Sequence, residues 1–94
     1  MPRYVIERDI PGIGSADRDA LRAASHKSNS VLAAMGEENK NIQWQHSYVA
    51  GDKTFCIYLA DNEALIYEHA ERSGFPATTV TEVPKMIDPV TAEG

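Results

Sequence analysis

The amino-acid sequence predicts an α+β domain, a four-stranded antiparallel sheet with two helices on one face. Three observations carry that expectation. Two segments place apolar residues at helical spacing, four others read as strands, and their order along the chain is β-α-β-β-α-β. A chain of 94 residues has room for one domain of this kind and none to spare. Residues 1–90 are read as that domain and 91–94 as a frayed tail. Apolar residues at 43% and charged residues at 24% are ordinary values for a globular protein.

The first strand is expected over Arg3 to Ile10, where Tyr4, Ile6 and Arg8 alternate with Val5, Glu7 and Asp9. Pro11-Gly12-Ile13-Gly14 breaks it, and Ser15 is a fitting N-cap. From Ala16 to Met35 a stripe of Leu21, Ala24, Val31, Leu32 and Met35 recurs at helical spacing, with Ser28 in its small central slot. Gly36 is expected to end this helix in the left-handed conformation. Its polar middle, Ser25 to Ser30, has no packing explanation in the sequence.

Ile42 to Val49 alternates strictly, which puts Ile42, Trp44, His46 and Tyr48 on one face and Gln43, Gln45 and Ser47 on the other. Gly51-Asp52 signals a turn, and Thr54 to Leu59 closes a β-hairpin. Asp61 or Asn62 caps a second helix that ends before Gly74, with Leu65, Ile66, His69, Ala70 and Ser73 on one side and Glu68 set to pair with Arg72. Thr79 to Val83 reads as a last strand, and Pro84 marks it as an edge. This order is the split βαβ pattern of the ferredoxin-like fold. Both helices lie on one side of such a sheet, so the other face needs a cover. A two-fold homodimer is the usual one, with Trp44 and the four tyrosines as expected anchors.

Several function classes fall away at once. Nine basic residues against fourteen acidic ones give a net charge of −5, and no basic cluster is present to bind phosphates, so nucleic acid is not an expected partner. No apolar run approaches the ~20 residues of a membrane span. The charged opening Arg3 to Arg8 does not read as a signal peptide. The single cysteine, Cys56, cannot form an internal disulfide, which agrees with a reducing cytoplasm.

The residues able to carry chemistry are few. Cys56 lies mid-strand between Phe55 and Ile57, where cysteine commonly serves as a small core residue; a thiolate metal ligand is the other role open to it. A helical metal pair needs a ligand at i+3 or i+4, and neither His26 nor His69 has one. His46 sits in an aromatic setting between Trp44 and Tyr48, and His69 on its helix is placed to pack on the sheet. Glu7 is positioned for an exposed ion pair, the leading role, or to reach a histidine across the sheet or Arg8 of a partner. The glycines at 12 and 14 lack the spacing of a phosphate loop, and no serine sits in a nucleophile elbow. A metal site must therefore be assembled across strands or between subunits.

Beyond these readings, the opening Pro2 to Arg8, Lys27 to Leu32, and the hairpin Ile42 to Val49 with Asp52 to Tyr58 resemble a small bacterial family of nickel-binding proteins. Glu68-His69-Ala70, Gly74-Phe75-Pro76-Ala77 and Ile87-Asp88-Pro89 extend the resemblance over nearly the whole chain. It departs from that family in the Asn39–Asn41 loop and at the C-terminus, which are longer here. The resemblance implies a ferredoxin-like fold, a homodimer of the dimeric α/β-barrel type, and Ni²⁺ binding for sequestration or detoxification. The positions carried over are His46, in Trp-x-His-Ser-Tyr, and His69, in Glu-His-Ala. Thiolate also binds Ni²⁺, which makes Cys56 a third candidate. A non-enzymatic metal-binding role is the leading expectation. An oxygenase-like or haem-binding enzyme on the same barrel, or a ligand-sensing module, is the alternative, and it requires a pocket faced by His46 or His69.

Overall fold

Alternation in Arg3–Asp9 does build the first strand, β1, and its inward side is Tyr4, Ile6 and Arg8, all buried. The computed structural model describes all 94 residues. After β1 come α1 (Arg18–Glu37), β2 (Ile42–Val49), β3 (Lys53–Ala60), α2 (Glu63–Ser73) and β4 (Thr79–Glu82). The sheet order is β2-β3-β1-β4 with every neighbouring pair antiparallel, and both helices pack on one face, which is the ferredoxin-like arrangement. The core lies between sheet and helices, where Tyr4, Ile6, Ile42, Cys56, Tyr58 and Ala60 meet Met35 of α1 and Ile66 of α2. No helix is long and apolar enough to cross a membrane.

Helix α1 starts later than the sequence predicts. Asp17, and not Ser15, is its N-cap, and the Asp17 carboxylate accepts a hydrogen bond from the Ala20 amide at 2.9 Å. Ser15 belongs to a 3₁₀ turn, Ile13–Ser15, that tucks under the hairpin. Gly36 does not cap the helix, which continues to Glu37. Asn39 takes the left-handed conformation instead (φ 62°), since asparagine tolerates it better than most residues do. For α2 the expectation matches: the Asn62 side chain accepts from the Leu65 amide, and Gly74 ends the helix at φ 81°.

The two glycines of the 11–14 turn have structural work. Gly12 is left-handed (φ 76°), and its amide donates to Asp52 Oδ1 at 2.9 Å. At Gly14 a Cβ would lie 2.6 Å from Ala50 O, so only glycine lets this turn approach the β2–β3 hairpin. At the C-terminus, Pro89–Glu93 form a 3₁₀ turn closed by a capping box between Asp88 and Thr91.

The decisive departure is in β2. Its pairing with β3 sets Trp44 opposite Tyr58 and His46 opposite Ile57, so Gln45 is a bulge with no partner of its own. The extra residue reverses the alternation. Ile42, Trp44, Ser47 and Val49 face the helices, while His46 and Tyr48 face outward with Ile57 and Phe55. Trp44, Tyr4 and Tyr58 belong to the inner side, and they are not anchors for the outer face. Tyr48 is the tyrosine that the outer face exposes.

Candidate functional site

Because of that bulge, the three metal-ligand candidates are not brought together. His46 is exposed on the outer sheet face, its ring 5.1 Å from that of Tyr48 in an edge-on contact. Cys56 is buried on the inner face, where its Sγ lies 3.5 Å from Thr54 Oγ1. His69 is 1% exposed, beneath α2, with its ring tilted against Tyr58 at 5.2 Å between centroids.

Ser28 resolves the polar middle of α1. Its hydroxyl lies 3.2 Å from His69 Nε2 and 3.3 Å from Tyr58 Oη, and it gives both buried polar tips a hydrogen-bond partner. Ser25 and Ser30 are satisfied within their own helix, donating to the Leu21 and Lys27 carbonyls. Burial, and next the charge of Arg8, hold the His69 imidazole well below its ordinary range, at about 4. It is therefore neutral at neutral pH.

Arg8 is a functional candidate that the sequence pattern alone does not single out. Its position beside Tyr4 and Ile6 in the alternation was the available signal. It is 3% exposed, and its guanidinium Nη1 donates to Pro76 O at 2.9 Å. Its Cζ sits 5.9 Å from the ring centroids of both Tyr58 and Phe75. None of the ion pairs in the protein includes it. Glu7, on the other side of the strand, pairs with Lys53 at 3.4 Å.

Arg8 forms part of the wall of a cavity of about 200 Å³ between the sheet and the first half of α1. Leu21 and Ala24 of the helix, Ile13 of the 3₁₀ turn, and Trp44 and Val49 of the bulged strand supply apolar walls. Ser28, Ser47 and Thr54 add hydroxyls. Helix residues that the sequence assigned to the core thus line a pocket. His69 does not; it stands one hydrogen bond behind, through Ser28.

A family model described as nickel responsive protein SCO4226-like matches residues 4–83. The chain belongs to the SCO4226-like family. The crystal structure of SCO4226 from Streptomyces coelicolor A3(2) aligns with a TM-score of 0.72, covering 90% of this chain and 99% of that one at 18% identity. At that identity the likeness establishes the shared ferredoxin-like fold. No curated protein matches the chain. The nickel in the family's description sets a test of fit. No three His, Cys, Asp or Glu side chains converge to hold a metal ion in this SCO4226-like chain. One copy alone therefore does not supply a closed nickel site.

Proposed function

We propose that this SCO4226-like protein is a non-enzymatic Ni²⁺-binding homodimer that takes up the ion through His46, with the remaining donors supplied by water and by a second copy. The observation that carries this reading is the exposure of His46 on the sheet face that no helix covers. Imidazole suits Ni²⁺, and an open coordination sphere is what a sequestration protein can complete on association. Support for the homodimer comes from the same face. Val5, Phe55, Ile57 and Leu59 are only half-buried there, and Tyr48 is 63% exposed. Met86, Ile87 and Val90 add exposed apolar surface in the C-terminal segment. His69 and Cys56 serve packing in this reading, since one ring nitrogen of His69 is engaged with Ser28 and the Cys56 thiol is enclosed.

The oxygenase-like or haem-binding alternative has its pocket but not its histidine, because His46 faces outward and His69 lies behind Ser28. The cavity, at about 200 Å³, is also below the ~300–1,000 Å³ of sites for drug-sized ligands, too small for a haem.

Calorimetric titration of Ni²⁺ into the tag-free protein, paired with sedimentation velocity, tests the proposal. The parent is expected to bind Ni²⁺ and to sediment as a dimer. His46→Ala is expected to weaken binding at least tenfold, while His69→Gln leaves it within twofold. Unchanged binding in His46→Ala overturns the site, and a monomer that retains full Ni²⁺ affinity overturns the shared-site reading.

A further inference from the structure

The Arg8 cavity has a chemistry that metal binding does not use. A buried guanidinium without a carboxylate partner is an expensive arrangement, because removing a charge from water costs several kcal/mol unless it is paired. Here the compensation is one hydrogen bond to the Pro76 carbonyl and two aromatic faces. A guanidinium carries five N–H donors in a planar fork that matches a carboxylate. The rest of the wall is mostly apolar, with Thr54 beside Arg8 on β3 as a hydroxyl that can donate to an anion, and with Ser47 of β2, whose oxygen already accepts from Trp44 Nε1 at 2.9 Å, farther along the wall.

We propose that this cavity is a binding site for a small amphipathic monocarboxylate, its carboxylate against Arg8 and its hydrocarbon body against Leu21, Ala24, Trp44 and Val49. The apolar walls give a straight-chain or aromatic tail favourable burial, and the lone cation selects the acid over its neutral analogues. At about 200 Å³ the space suits a molecule the size of octanoate or phenylacetate and excludes long-chain lipids. Strand β1 supplies the cation, β3 supplies Thr54, the bulged part of β2 supplies Ser47 and Val49, and α1 closes the top, so four elements converge on one site. Nothing in this site requires nickel or the outer sheet face.

The protein carries its own reporter, since Trp44 is the single tryptophan and lines the cavity. Octanoate and phenylacetate, with octanamide and phenylacetamide as neutral controls, are titrated to millimolar concentration in EDTA while Trp44 emission is followed. EDTA keeps the outcome separate from the nickel reading. The acids are expected to produce a saturable change, with the amides binding at least tenfold more weakly. Arg8→Gln is expected to weaken the acids at least tenfold and to leave the amides within twofold. Should Arg8→Gln not fold, Ala24→Phe, which fills the cavity from the helix side, is expected to abolish acid binding in a protein with native amide NMR dispersion. The absence of a saturable change in the parent overturns the proposal. So do amides that bind as well as the acids, or parental acid binding in a folded Arg8→Gln or Ala24→Phe protein.

Discussion

His69 makes the stability of this protein depend on pH in a calculable way. Its imidazole is ordinarily half-protonated at 6.5, and burial with the nearby charge of Arg8 lowers that to about 4 in the folded chain. On acidification the unfolded chain takes up the proton first, while the folded chain refuses it until about pH 4. Stability from this group is therefore complete above about 6.5 and falls as pH drops toward about 4. The slope approaches ~1.4 kcal/mol per pH unit, and the accumulated loss between neutrality and pH 5 is about 2 kcal/mol. That is a large share of the ~5–15 kcal/mol that holds a typical domain together. Urea unfolding followed by Trp44 fluorescence, at one fixed protein concentration and in steps from pH 7 to pH 5, measures it. His69→Gln keeps a polar group beside Ser28 and cannot titrate. It should lower stability at pH 7 and flatten the dependence by about 2 kcal/mol over that window. Glu38, held down to about 2 chiefly by its hydrogen bond with Arg72, loses its contribution only as pH falls below its ordinary 4.5, outside the window. Parallel curves for parent and variant would refute the reasoning, because they would mean that His69 binds its proton alike in both states.

Four further outcomes rest on the packing. Ser28→Ala strips the shared partner from Tyr58 and His69, and should cost about 1–3 kcal/mol in urea unfolding at pH 7. Gly14→Ala drives a Cβ to 2.6 Å from Ala50 O and 2.9 Å from Gly51 Cα, which are both backbone atoms, so its melting temperature should fall by the equivalent of about 1–3 kcal/mol. Gly36→Ala is the control: nothing lies within 4 Å of the added Cβ inside α1, and the change should raise stability by about 0.5–1 kcal/mol. Cys56, 6% exposed on the cavity wall, should resist a bulky thiol reagent in the native protein and react fully in urea; prompt native labelling would show that the thiol is reachable in the folded chain.

Much of this architecture was legible because its signals are local. The caps of α2, the alternation of β1 and the Gly51-Asp52 turn each act over a few residues, and each sits where its chemistry places it. The candidate site was less legible, and for a physical cause that differs from residue to residue. A bulge such as Gln45 leaves no mark in composition, and one unpaired residue reverses the side on which every later side chain falls. His46 moved to the outer face and Ser47 to the cavity for that reason alone. The role of Ser28 depends on Tyr58 and His69, which lie 30 and 41 residues away along the chain. Arg8 was written plainly into the β1 pattern, yet a charge on an inward face makes sense only once a cavity is seen beside it.

The bulge at Gln45 also bears on how copies of this chain can meet. In the order β2-β3-β1-β4 the free margins of the sheet belong to β2 and β4. A new strand could add to either margin only along a regular row of unpaired amides and carbonyls. On β2 that row is broken midway by Gln45, and β4 offers only Thr79–Glu82 before Pro84, which has no amide to give. Both margins are thereby poor templates for fibre-like growth, and the sheet stops at four strands.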